Sequence, residues 1–376
     1  MLDERQRRLA RNLAIALVLA GCSAAQYAAV SKAATFRVLL AGDSIVEGCE
    51  QRTPGHTGGL ADAVRRALQS RGLRASGRGY IPAHDARVST PESPRSYWPL
   101  EYAGAWNFEG TFGAATSPFG PDGFTSSTAA HDSVLSATLS ADRVGLLYGT
   151  APDGGRFTLE LGQRRQRVNA RGPAAATRVK WLSAPGALDR LRISHIAGGV
   201  TRVAGLMVRR EDDDVEVNQV GRSGAQAEDG LSAPNRQALT ALEPHLTVLM
   251  FGTNEEGSAL GGDVAAAERR LTRGLVHRAR LARRSGACVV VPHAPNNRPR
   301  SLQRRLRRAA AVAARAGGCD FRPVLDRVWG SGDDSIQRGL TADGIHPTAA
   351  GYELMGRQVA GLIVSQRGNV SRASNR

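Results

Sequence analysis

The chain has 376 residues, of which 41% are hydrophobic and 22% charged, and its formal net charge is +16. This composition excludes collagen-like, low-complexity and disordered classes, and the length leaves room for two domains or for one domain with a large insertion. The basic balance suits a polyanionic partner, whether nucleic acid, an anionic membrane surface or an acidic wall polymer, and composition does not choose among them.

At the amino terminus Arg5, Arg7, Arg8 and Arg11 lead into the apolar run Leu13 to Ala20, and Leu19-Ala20-Gly21 precedes Cys22. A basic start, a short apolar core and small residues before a cysteine resemble a bacterial lipoprotein signal, with lipid attached at Cys22 after cleavage. The run is too short to span a bilayer. Residues 1–22 are therefore expected to be a signal segment of an exported protein, either held at the cell envelope or secreted. Later cleavage after Ala33, or a plain amino-terminal helix, are the alternatives.

The run Phe36-Arg37-Val38-Leu39-Leu40-Ala41 delivers the chain into Gly42-Asp43-Ser44. A strand ending in such a turn places a serine hydroxyl at a strand's carboxyl end, where open α/β sheets hold their ligands. Ser44 is the candidate nucleophile. From Gly59 to Arg71, Leu60, Val64, Ala67 and Leu68 share one helical face, opposite Asp62, Arg65, Arg66 and Gln69, and Gly72 closes the helix. Strand, turn and helix make the first half of a βαβ unit.

The period changes between about Gly77 and Glu211, where short alternating runs replace helices: Val144–Tyr148, Arg156–Leu161, Arg178–Leu182, Arg190–Ser194 and Val203–Arg209. Asp153-Gly154-Gly155 and Gly198-Gly199 fall where hairpin turns would be needed. The segment reads as an inserted β-sandwich. Tyr97, Trp98, Tyr102, Trp106 and Phe108 gather near its start, as core or as a platform for sugar rings.

The parallel pattern resumes with Val215–Val220 running into Gly221-Arg222-Ser223-Gly224. A helix follows near Asn235 to Leu242, then the strand Leu246–Phe251 and the turn Gly252-Thr253-Asn254-Glu255. Two arginine-rich amphipathic helices, Glu268–Arg284 and Arg298–Arg315, flank a strand at Ala287–Pro292. They read as solvated faces without a nucleic-acid motif, so no nucleic-acid partner is expected. The strand Phe321–Leu325 and a last helix from about Thr348 to Ser365 complete the series. Cys288 and Cys319 each open a strand; they could bridge if those strands are neighbours, or remain free thiols. Neither they nor Cys49 have zinc spacing. His56, His84, His131, His195 and His293 show no metal spacing either, and no metal or cofactor is expected.

Before the last helix stands Thr341-Ala342-Asp343-Gly344-Ile345-His346-Pro347. A neutral histidine can take a serine proton near pH 7, and a carboxylate on its other nitrogen fixes the tautomer. Asp343 and His346, three residues apart, can point at the same space.

Gly42-Asp43-Ser44, Gly224, Gly252-Thr253-Asn254-Glu255 and Asp343-Gly344-Ile345-His346-Pro347, in this order, resemble the four blocks of the SGNH or GDSL-type hydrolase family. The resemblance covers residues 36 to about 72 and 215 to 365. It implies an α/β, flavodoxin-like three-layer domain with a parallel sheet (34–76 and 215–366), interrupted by a carbohydrate-binding-like β-sandwich (77–214), with 367–376 left as a disordered tail. By the same resemblance Ser44 is the nucleophile, His346 the general base and then acid, and Asp343 its orienting carboxylate. The oxyanion hole would be the backbone N–H groups of Ser44 and Gly224 with the Asn254 amide. Asn218 and Gln219 leave the second block's alignment open by one residue, with Gly221 a rival to Gly224. The insertion looks like that of peptidoglycan O-acetylesterases, although Ile45 stands where such enzymes often carry histidine. The expected partner is an O-acetylated polysaccharide, with membrane association through a lipid anchor. The two competing readings are a polysaccharide O-acetyltransferase and a non-catalytic wall-binding lipoprotein. Oligomeric state is not legible.

Overall fold

The computed structural model describes residues 34–48, 59–83, 99–110, 116–183 and 188–374. The expected signal segment, Cys22, Cys49, His56, His84, Tyr97 and Trp98 lie outside the described residues.

Five parallel strands lie in the spatial order Val215–Gly221, Phe36–Gly42, Leu246–Met250, Ala287–Val290 and Asp320–Phe321. Because side chains alternate along a strand, Val38 and Leu40 join Leu60, Val64, Tyr352 and Met355 on one face. Leu39 and Ala41 join Leu271, Leu275, Leu302 and Leu306 on the other. Burial on both faces is why these strands read as nearly unbroken apolar runs. Helices Leu60–Gln69 and Ala349–Ser374 cover the first face; Ala233–Ala241, Val264–Ser285 and Arg300–Gly317 cover the second. The helix pair on the first face approaches closely at Gly356, where a Cβ would lie 2.6 Å from the Ala63 carbonyl carbon.

The result is the three-layer, doubly wound architecture expected, with the first strand flanked by the second and third of the parallel series. That flavodoxin-like order puts a switch point beside the first strand, where a crevice opens at the strands' carboxyl ends. Ser44 follows the first strand and Asn254 the third, so both belong to that edge.

Cys288, in the strand Ala287–Val290, and Cys319, one residue before the neighbouring strand Asp320–Phe321, have Cα atoms 4.8 Å apart and form a disulfide. The last strand is shorter than expected, Asp320–Phe321 rather than Phe321–Leu325. Pro323 lacks the N–H that would continue the ladder. The last helix, in contrast, runs through Ser374, across the residues expected as a disordered tail. No proline interrupts it there, and the Arg367 guanidinium lies 3.9 Å from the Asp214 carboxylate.

Between the first helix and Val215, the described chain forms two antiparallel sheets. One is ordered 176–183, 143–150, 201–209, 125–128, 107–109, with 79–82 also on 201–209; the other is ordered 100–103, 134–140, 188–197, 156–161, 164–169. Leu135, Phe157, Leu159, Leu191 and Ile193 from one sheet and Val144, Leu146, Val203 and Leu206 from the other share a single apolar cluster. The glycine turns differ from expectation. Asp153–Gly155 and Gly198-Gly199 do not close hairpins, because each joins a strand of one sheet to a strand of the other. The two crossings lie against each other: a Cβ on Gly199 would sit 2.4 Å from the Asp153 carbonyl oxygen. Glycine there serves close backbone approach. From Thr35 onward the chain forms one unit, antiparallel sheets included.

Candidate active site

Ser44 opens a one-turn helix, Ser44–Glu47, directly after the first strand. Asp43 caps it, its Oδ1 accepting the Ile45 N–H at 3.0 Å, and Gly48 ends it at φ +78°. The Tyr352 hydroxyl donates to the Ile45 carbonyl at 3.0 Å and ties this turn to the last helix. Burial pushes the Asp43 carboxyl up, only partly offset by the Ile45 N–H.

The Ser44 Oγ lies 3.2 Å from His346 Nε2. On the other side of the ring, His346 Nδ1 lies 2.7 Å from Asp343 Oδ2. Asp343 also accepts the backbone N–H groups of Ile345 at 2.9 Å and His346 at 2.7 Å through Oδ1. Burial raises the Asp343 carboxyl, but the His346 side chain and the two N–H donors outweigh it, and the group stays below the usual carboxylate range. The loop that carries them is fixed from outside: Asn297 Nδ2 donates to the Asp343 carbonyl at 3.0 Å, and Gly344 turns at φ +79° against the same side chain.

Gly224 is exposed in the loop after the strand Val215–Gly221, at φ +77°. Gly221 has a different part: a Cβ there would lie 2.3 Å from the Glu47 nitrogen, so its lack of a side chain lets this strand end pack on the Ser44 turn. Asn254 Nδ2 donates to the Ala225 carbonyl at 2.8 Å, which links the second and third blocks and leaves the amide's other hydrogen uncommitted by that bond. The structure thus joins Ser44, His346 and Asp343 by direct contact. It sets Gly224, in a loop, beside Asn254, which opens the helix Thr253–Leu260 where a turn was expected, at the same sheet edge. Asn218 is buried, accepting the Tyr80 N–H at 2.8 Å, while Gln219 accepts Ala61 N–H and donates to the Glu47 carbonyl.

Three buried charged residues to which sequence reading gave no part, Glu255 of the third block among them, hold these loops. Glu47 Oε2 accepts both the N–H and the hydroxyl of Ser223, at 2.6 and 2.5 Å. Glu255 Oε1 accepts the Ala227 N–H at 2.6 Å; burial pushes its carboxyl up to about 7. Arg278 Nε donates to the Ala227 carbonyl at 2.7 Å, and burial brings its guanidinium down to about 10. A sequence signal for Arg278 exists, since it falls on the apolar face with Leu271, Leu275 and Ala282. Behind the third block, His293 Nε2 approaches Glu256 Oε1 at 2.8 Å as an ion pair without good hydrogen-bond alignment, and Asn296 Nδ2 donates to Glu256 Oε2 at 2.7 Å. Burial opposes both charges, yet each partner stabilises the other: His293 is raised and Glu256 lowered. Among the described residues no group of three or more His, Cys, Asp or Glu could hold a metal ion.

Residues 193–354 match the model of the GDSL-like Lipase/Acylhydrolase family. That stretch contains Gly224, Asn254, Asp343 and His346 but begins well after Ser44. No curated protein matches the chain. Among solved structures, one of a peptidoglycan O-acetylesterase in action matches at a TM-score of 0.64 and 21% identity, covering 90% of this chain and 95% of that one. A lipase/acylhydrolase from Enterococcus faecalis matches at 22% identity over 41% of this chain and 78% of that one, and a family two carbohydrate esterase from Cellvibrio japonicus at 10% over 70% and 97%. Their TM-scores, 0.33 and 0.29, are too low to bear on function. The fold is that of the O-acetylesterase, and the family match supports a carboxylic ester hydrolase of the SGNH/GDSL type.

Proposed function

Starting from an SGNH-type fold that resembles a peptidoglycan O-acetylesterase, we propose that this chain is an exported serine esterase that removes O-acetyl groups from a cell-envelope polysaccharide such as peptidoglycan. The observation that carries the reading is the continuous line from Ser44 Oγ through the His346 ring to Asp343, with contacts of 3.2 and 2.7 Å. His346 Nε2 takes the Ser44 proton as the oxygen attacks the acetyl carbonyl, while Asp343 holds Nδ1–H and stabilises the imidazolium. The tetrahedral oxyanion is received by the N–H groups of Ser44 and Gly224 and by the Asn254 amide, each well-placed donor contributing about 3 kcal/mol. Collapse expels the sugar oxygen, which takes the proton from His346 and leaves acetyl-Ser44. Water, deprotonated by His346, then attacks the acetyl carbonyl; the bond to Ser44 Oγ breaks, His346 returns the proton to that oxygen, and acetate leaves.

Export is supported by the Cys288–Cys319 disulfide, since such bonds persist in oxidising compartments. Attachment through a lipid on Cys22 belongs to the same proposal. The test is Ser44→Ala, assayed for acetate release from p-nitrophenyl acetate and from O-acetylated peptidoglycan. A loss of at least about 10⁴-fold in kcat is expected on both. Full activity in the variant would sink the mechanism, and wild-type activity on the small ester alone would sink the polymer assignment.

A further inference from the structure

The second helical face carries a concavity remote from Ser44. Arg236 on the helix Ala233–Ala241 and Arg273, His277, Arg280 and Arg284 on the helix Val264–Ser285 line a cavity of about 600 Å³. No carboxylate lines it, and its one ring is the His277 imidazole. Arg273 is paired with Glu228 at 3.1 Å, but Arg236, Arg280 and Arg284 have no carboxylate partner among the described residues. Burial lowers the His277 imidazole, and the arginines at 236, 278, 284 and 280 lower it further, so their positive fields converge here. The cavity is not isolated. Thr272 and Arg273 also line a second one, of about 570 Å³, together with Glu268, Arg269, Arg305 and Arg308; there Arg305 is paired with Glu268 and Arg269 with Asp263, which leaves Arg308 without a carboxylate partner among the described residues.

The end of this track formed by Arg280 and Arg284 lies apart from the ester chemistry. The helix Val264–Ser285 ends two residues before the strand Ala287–Val290 begins, so Arg280 and Arg284 lie toward the amino-terminal edge of the parallel sheet. Ser44 lies at the carboxyl edge.

We propose that this track binds a linear phosphodiester polymer without nucleobases, such as a chain of glycerol phosphate units. Guanidinium groups match phosphate oxygens in a bidentate fork, which a lysine cannot copy. Two joined concavities fit an extended chain better than a single phosphate. Bases would find no Phe, Tyr or Trp on which to stack. The inference is independent of the esterase reading, because it uses none of that site's residues.

The experiment measures binding of the full protein to a ten-unit glycerol phosphate oligomer at several salt concentrations, with the decanucleotide dT10 and phosphatidylglycerol vesicles as parallel probes. If Arg236, Arg280 and Arg284 each neutralise one phosphate, log K falls against log[salt] with a slope of about −2, and a fourfold rise in salt weakens binding about 20-fold. The variants Arg236→Gln/Arg280→Gln/Arg284→Gln and Arg280→Gln/Arg284→Gln should lose binding in that order, while thermal melting and p-nitrophenyl acetate hydrolysis stay unchanged. The double variant keeps the test open if removing Arg236, which donates to the Leu231 carbonyl, disturbs the fold. No binding of the oligomer at low salt, tighter binding of dT10, binding of vesicles alone, or unchanged affinity in a folded variant would each overturn the proposal.

Discussion

The two edges of the parallel sheet handle charge in opposite ways. Around Ser44, Glu47, Glu255, Glu256, His293 and Arg278 are buried and committed to backbone groups or to one another. Along the helix Val264–Ser285, Arg280 and Arg284 stand exposed and without a carboxylate partner. Burying a charge costs several kcal/mol unless good partners replace water, so such groups are retained where geometry matters more than stability. Exposed charge is nearly free to keep and acts on whatever approaches. The first edge is therefore built for position and the second for attraction.

Substitutions can break that contrast in descending order of effect. At the catalytic edge, after Ser44→Ala itself, Asn254→Ala removes an amide donor and also the bond to Ala225; kcat is expected to fall about 10²- to 10³-fold. Retention of kcat would mean that Asn254 only ties two loops together. Glu47→Gln is a subtler change, keeping the volume but weakening the hold on Ser223 beside Gly224. About a 10- to 100-fold drop in kcat with little change in KM is expected, since misplacing a transition-state donor costs chemistry rather than ground-state binding. A rise in KM alone would assign Glu47 to substrate binding instead.

The smallest effect concerns stability and carries a definite sign. Glu255 titrates near 7 when folded and near 4.5 ordinarily, so between those pH values the folded state binds more protons than the unfolded one. Its contribution is full below the ordinary value and is lost as pH rises toward 7. Asp122, buried and also pushed up to about 7, acts in the same direction. Melting temperature should decline from pH 5 to pH 8, and Glu255→Gln should flatten the decline by a few degrees. An unchanged slope in that variant would show that Glu255 is ionised throughout. Substitutions in the arginine track should leave both activity and this pH profile alone, which sharpens the separation of the two edges.

The four blocks were legible as a set. A strand running into Gly42-Asp43-Ser44 and an aspartate three residues before His346 are each short, and it is their order with the other two blocks, a resemblance to a known family, that made them legible; the nearly unbroken apolar runs of the parallel strands could be read directly. The paired cysteines were legible as a possibility and became a bond only when their strands proved to be neighbours. Three things depended on contacts between segments distant in sequence. The Gly154-Gly155 and Gly198-Gly199 turns join sheets instead of closing hairpins, because strand pairing is chosen across the whole antiparallel region. Gly221 and Gly224 take different parts only because Glu47 packs against one of them. The supporting residues Glu47, Glu255 and Arg278 carry no spacing signal for what they hold, since a backbone N–H or carbonyl on another loop leaves no trace in the sequence. Residue chemistry pointed to Ser44, His346 and Asp343 as candidates; the tertiary fold decided which buried charges keep their loops in place, and which edge of the sheet was left with charge to spare.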